Sequence, residues 1–421
     1  MTATETIVER LAVGAVGGAA TGARAWLAAH GFPHGREEEW RYTPVDEILA
    51  TLAGAVPATA PAAQLDRSVV DALAGDHGGR RIVFVNGVHA PQLSDDRALP
   101  AGFYLGPLAR ASGVPAGLGT PDGDPLDGFD ALNRLAGNGA AVVAAPRGGR
   151  LDSPLHVVHL AVPDGGTTVV HPRTIVHAAA GSRISVIETY AGLPGALVTN
   201  ASSTVHVGAG AVVAYHRIQE EAPGVTHLGR ARIGQSAGSE LRAVSVMTGA
   251  DIARLAVDVV LDGDEARSTL DGLYFPRHHQ RHDHVVTVDH AASACTSRQR
   301  FKGIVDGHAR GSFGGRILVR SRTVATDASQ SNHNLLLSST AQADTRPWLE
   351  IFADDVRCAH GATVGRLDDH ALFYLRSRGV PLAEARAMLV DAFAEEVIAG
   401  ITPESLRQRV AGTVQSDRVR T

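Results

Sequence analysis

From about residue 150 to residue 365 the chain abandons helix-forming patterns and repeats one device, a small-residue turn followed by a strand of alternating apolar residues. The runs "PLHVVHLAV", "TIVHAAAGSRISVIETYAG", "STVHVGAGAVVAYHRIQ", "RIGQSAGSELRAVSV" and "DVVLDGDEARSTLDGLYF" all follow it. Glycines mark the turn at Gly181, Gly210, Gly238 and Gly263, with gaps of 29, 28 and 25 residues. A repeat of this size built on one turn type predicts β-coils stacked on one another, because each coil buries its apolar face and its strand edges only against a neighbour. An ordinary β-sandwich is the competing architecture.

The flanks are different. Residues 1 to about 75 read as helical, with "TPVDEILATLAGAV" carrying threonine and proline in the positions that start helices. The run "VPATAPAAQ" at 56–64 reads as a linker, "RRIVFVNG" as a strand ending in an Asn-Gly turn, "DGFDALNRLAG" as a helix and "AAVVAAPRG" as a strand. After residue 366 helices return. "LDDHALFYLRSRG" opens on acidic residues and stops at Gly379, and "VPLAEARAMLVDAFAEEVIAG" places Leu382, Ala385, Leu389, Ala392, Phe393 and Val397 on one stripe. These helices suit either a cap over an open coil or a face for a partner. The division is therefore 1–150 mostly helical, 151–365 a β core, and 366–421 helical, in keeping with a chain of 421 residues that is too long for one ordinary core.

A net charge of −5 supplies no general electrostatic attraction for nucleic acid or an anionic membrane, and no apolar run is long enough to span a bilayer. The first residues carry acidic groups and lack a basic secretion-signal region, and two cysteines make no disulfide framework, so a cytoplasmic location is expected. Positive charge is carried almost wholly by arginine. Lys302 is the sole lysine, and chance survival competes with a need for an ammonium at that point.

Two clusters have the residue types for chemistry. In "EIFADDVRCAHGATVG" Cys358 and His360 stand two apart, so on a strand they share a face and suit metal ligation; a buried thiol beside a hydrogen-bonded imidazole is the plainer alternative. In "PRHHQRHDHVVTVDH" an extended backbone puts His278, His282 and His284 on one face, a possible second metal site. "ATDASQSNHNLLLSS" offers Asp327, Gln330, Ser331, Asn332, His333 and Asn334, which in stacked coils form internal ladders. No P-loop, nucleophile elbow or H-E-x-x-H is present, and Cys295 and Cys358 are too few to hold an iron–sulfur cluster alone.

The continuous segment from about 270 to 400, above all "ADDVRCAHGATVG" and "ALFYLRSRG" together with the early "EEEWRYTP", resembles the SufB/SufD family of the SUF iron–sulfur cluster assembly system, on its SufD side. That resemblance implies a mainly β protein with a right-handed parallel β-helix core and flanking N-terminal and C-terminal α-helical domains. It implies a non-enzymatic scaffold in the SufBCD complex, partnered by the paralogous SufB and by the ATPase SufC, with iron or a cluster held only transiently and no cofactor kept by the chain alone. His360 matches the histidine at the SufB–SufD interface. Phe373, Tyr374, Arg376, Arg378, Leu382 and Leu389 fall in the helices implied to dock SufC. The thiol-bearing Q-C-D-S of SufB is replaced here by "QSNHN". A stand-alone metal or Cys/His enzyme on a β-helix and a homodimeric binding module are the alternatives.

Overall fold

Each repeat of the sequence delivers two strands, and successive strands go to different sheets. The computed structural model describes residues 3–12, 18–58, 65–95, 97–111, 123–137 and 139–418. Among the described residues one sheet has eleven strands and stacks in parallel from Ala141–Ala145 through Arg173–Ala178, Leu197–Val207, Val225–Gln235, Ile252–Leu261, Arg281–His290 and Arg310–Val319 to Gln342–Ile351. The other has ten and runs in parallel from Arg80–Val85 through Leu155–Ala161, Arg183–Gly192, Val212–Gln219, Glu240–Met247, Arg267–Tyr274, Thr296–Val305 and Thr326–Leu336 to Val356–Gly365. The chain is a parallel β-solenoid with helices at both ends of the sequence, as its repeat predicts; the sandwich is excluded because neighbours within a sheet are parallel throughout these stacks. The strands Arg80–Val85 and Ala141–Ala145, in the region read as mostly helical, already pair with solenoid strands. Of the expected linker at 56–64, Val56–Pro57 pairs with the strand Thr168–Val170, while 59–64 lie outside the described residues.

The turn glycines work as a second ladder. Gly181, Gly210 and Gly238 have φ of 71°, 64° and 62°, and each donates its N–H to a carbonyl in the next turn at 2.8 to 2.9 Å. Such left-handed backbone is what glycine adopts without cost. The following member is not Gly263 but Glu265, with φ 63° and an N–H bonded to the Ser293 carbonyl at 3.0 Å. Gly263 is needed for a different reason: a Cβ there would lie 2.0 Å from the backbone nitrogen of Ala237. Counted through Glu265 the period becomes more regular than the glycines alone suggest.

Alternate residues of every strand enter the interior. One apolar cluster fills that interior along most of its length, from Ile82 and Leu155 through Val213, Leu241, Val259 and Leu270 to Phe313. Beside it a polar network is buried: the Glu188 carboxylate accepts from Tyr190 at 2.6 Å, Ser203 at 3.0 Å, Arg217 at 3.3 Å and also from Tyr215, itself a member of that cluster. Arg217 reaches His227 at 3.2 Å, and His227 meets Glu221 at 2.6 Å. Buried charge on this scale is tolerated only when each group is paired.

Helices coat the two outer faces. Ala3–Leu11, Gly18–His30, Val45–Gly54 and Gly128–Ala136 pack around Val169, Val198, Leu228 and Ile252 of one sheet. The "EEEWRYTP" segment is strapped to the same face, with Trp40 against the Arg254 guanidinium at 3.9 Å and Thr43 donating to Asp283 at 2.5 Å. On the other face the helices Leu382–Ile398 and Glu404–Arg418 bury Val390, Ala394, Val397, Ile398, Leu406 and Val410 against Ile218, Val244, Leu273 and Ile304. They lie along the side of the solenoid and do not cover its C-terminal end. The buried stripe of Leu382–Ile398 is rotated from the expected one: Ala385 and Val397 are buried as expected, but Val390, Ala394 and Ile398 complete the face while Leu382 and Ala392 are exposed. The apolar residues of this helix are not confined to one stripe, so the sequence pattern offers two competing faces.

Candidate functional site at the open end of the solenoid

The last turn has a neighbour on one side only. Gln342–Ile351 and Val356–Gly365 stand at the ends of their sheets and pair with Arg310–Val319 and Thr326–Leu336. Their free edges carry backbone donors and acceptors with no ladder to join. Ile351, Phe352 and Val364 add exposed apolar surface, Phe352 at 64% exposure. A solenoid normally protects such an end, so an uncovered one is a surface prepared for pairing.

Cys358 and His360 sit on that turn. In register they stack on Ala328 and Gln330, which point into the interior. The two residues therefore share the inward face, as their spacing predicts, but with no further coil above them His360 is exposed and Cys358 half-buried. Beneath His360 lies an amide ladder that continues the column: Gln330 donates to Gln299 at 2.9 Å, Asn334 to Asn332 at 2.7 Å, and the Tyr274 hydroxyl to Asn334 at 2.5 Å. Of the "ATDASQSNHN" residues, Gln330, Asn332 and Asn334 thus face inward, while Ser331 and His333 face out, His333 sharing a 2.7 Å hydrogen bond with Thr363 of the last strand. Partial burial pushes the Cys358 thiol above its ordinary range, so at neutral pH it is protonated and a poor nucleophile or ligand until something draws the proton off.

The second histidine cluster is taken apart by the fold. His282 and His284 are buried on the inward face, His284 between the rings of Tyr274 and Phe301 at 5.2 and 5.5 Å, and burial lowers both imidazoles to about 3. His278 instead occupies an exposed left-handed turn at φ 57°, where the strand period has not yet begun. The three do not meet. Among the described residues no three His, Cys, Asp or Glu side chains converge as metal ligands, so His360 and Cys358 lack a third ligand from their own chain.

A second surface follows the last strand. The helix Asp369–Ser377 buries none of its residues, and Phe373 and Tyr374 are 74% and 58% exposed, with Arg378 stacked 5.3 Å from the Tyr374 ring. Arg376 is exposed; on the next helix Leu382 and Met388 are also exposed, and Leu389 is half-buried. Sequence reasoning reached these aromatics but missed Met388, Ile351, Phe352 and Val364. The signal available for Val364 was its place on the inward register of the final coil.

A family model described as "SUF system FeS cluster assembly, SufBD core domain" matches residues 161–393, which take in most of the solenoid, the helix Asp369–Ser377 and the greater part of the helix Leu382–Ile398. The chain belongs to the SufBD family. The iron–sulfur cluster assembly protein SufD of Escherichia coli is 31% identical over 396 residues, covering 92% of this chain and 90% of that protein. A SufBD family protein of Synechocystis is 31% identical, covering 92% and 88%. SufD of Bacillus subtilis is 25% identical over 292 residues, covering 68% and 65%. Membership of the SufBD family ties the chain to iron–sulfur cluster assembly, and within the family it is of the SufD type. Among the described residues no helix is long and apolar enough to cross a membrane.

Proposed function

We propose that this chain is a non-enzymatic scaffold subunit of a SufBCD complex, and that its open end is the surface that meets SufB. The uncovered last turn carries the reading. Two solenoid ends meeting edge to edge join their strands antiparallel across a two-fold or pseudo-two-fold axis, completing both ladders at once. A paralogous partner with the same coil supplies that match. His360 then lies in a pocket shared by two chains, where the partner provides the missing ligands for iron or a nascent cluster; the metal is cargo and not a resident cofactor. The amide ladder of Gln299 and Gln330 fixes the floor beneath the imidazole.

SufC is assigned to the exposed aromatic patch of Phe373, Tyr374 and Leu382, with Arg376 and Arg378 at its polar rim, because exposed aromatics of this size beside arginine are typical anchors of protein interfaces. An enzyme reading has less support, since burial keeps the thiol protonated and, among the described residues, no base is hydrogen-bonded to it.

Coexpression with SufB and SufC and purification through one partner test the assignment. Recovery of the ternary complex is expected, with H360A giving intact complex but lowered cluster yield. Copurification of neither partner would overturn it. Pairing of the open end with a second copy of this chain would appear as a dimer that coexpressed SufB fails to displace.

A further inference from the structure

Neither proposed surface accounts for the solitary lysine. Lys302 occupies an outward position on the strand Thr296–Val305, yet its side chain is only 3% exposed because the helix Leu382–Ile398 covers it. Its ammonium donates to the Phe393 carbonyl at 3.1 Å, pairs with Glu396 at 2.7 Å and lies 4.3 Å from the centroid of the Phe393 ring. A compact ammonium with three donors serves a carbonyl, a carboxylate and a ring face together, whereas a planar guanidinium presents its donors in one fixed fork. The hydrogen bond from Lys302 also holds the Glu396 carboxyl below its ordinary range although Glu396 is largely exposed.

The next rung of the same outward column is His333, in register with Lys302, and the rung after it is Thr363 on the last strand. His333 is bonded to Thr363 at 2.7 Å. Apart from apolar packing, the start of the helix is tied to the solenoid by a long contact, Arg386 to the Leu337 carbonyl at 3.4 Å. One outward column of polar side chains therefore runs from beneath the middle of the helix to the terminal strand.

We propose that Lys302 is a positioning residue: it latches the C-terminal helices to the solenoid flank and, through His333, couples their placement to the strand that bears His360. The consequence for partner binding rests on the docking reading given above; the latch itself does not.

Hydrogen exchange followed by mass spectrometry on the full chain tests it. K302M is expected to speed exchange across 382–398 at least tenfold and across 356–365 at least threefold, with 212–219 unchanged. K302R is expected to fall short of restoration, and K302M combined with E396Q to be no worse than K302M. Exchange unchanged in K302M, or full recovery in K302R, would overturn the latch. Should K302M fail to fold, E396Q carries the test, since its side chain is exposed: a threefold rise confined to 382–398 and 356–365 supports the latch and no rise rejects it. Loss of SufC capture in the F373A/Y374A variant is read separately, so a docking surface that proves wrong leaves the exchange result standing.

Discussion

His360 and Cys358 show how position along a stack changes what a side chain can do. In any earlier coil their register would seal them inside, where imidazoles such as His284 are neutral and packed between rings. In the last coil the same register leaves the imidazole open to a partner. H360A is therefore expected to cut cluster assembly by the complex at least tenfold while leaving the melting temperature of the chain within about 1 °C, as exposed substitutions usually do. C358S is expected to retain assembly, because the protonated thiol contributes little as a ligand. Iron and sulfide analysis of the purified complex checks both. Deeper in, R217M strands the buried Glu188 carboxylate, and a loss of about 3–5 kcal/mol in denaturant unfolding is expected.

At the scale of elements, the terminal strands and the C-terminal helices carry the exposed apolar surface. Edge strands that remain unpaired are usually blunted by charge or proline. Here Gln342–Ile351 does carry Pro347 with charged neighbours, whereas Val356–Gly365 has no proline and a single charged residue and keeps Val364 exposed, which suits an edge strand that is meant to pair. F352E with V364E places like charges at that junction and is expected to abolish SufB capture without altering the far-ultraviolet circular dichroism of the chain. Undiminished capture would remove the open end from the interface. The turn ladder shows a further element-scale device. Glu265 and Ala294 hold left-handed backbone at the places taken earlier by Gly181, Gly210 and Gly238, so the ladder persists after glycine stops marking it.

The whole molecule is built around buried neutral imidazoles. Burial lowers His159, His171, His216 and His290 to about 4 and His282 and His284 to about 3. In the unfolded chain each titrates near 6.5. Below that pH the unfolded state binds more protons, so stability is whole above about 6.5 and falls as the pH drops towards 4. The loss is about 1.4 kcal/mol per pH unit for each such histidine. The buried carboxylates Glu188 and Glu221, held low mainly by Arg217 and His227 against the opposing effect of burial, push in the same direction at lower pH. Urea midpoints at pH 8, 6 and 5 are expected to be flat above 6.5 and to decline steeply below it; a flat profile down to pH 5 would contradict this account.

Local periodicity was enough to determine the architecture. An alternating strand joined to a small-residue turn, repeated about every 28 residues, has few ways to bury its apolar face other than stacking, and the i, i+2 rule placed Cys358 with His360; of the six residues read as ladder members, the structure turned Gln330, Asn332 and Asn334 inward and Ser331 and His333 outward. Periodicity says which residues share a face, not what lies across from that face. Only the tertiary structure decided that the last coil is uncovered, that the C-terminal helices lie along the flank, that His278 parts from His282 and His284, and that Lys302 is buried beneath a helix about ninety residues away. Those outcomes depend on contacts between distant segments, whose free energy no local pattern contains.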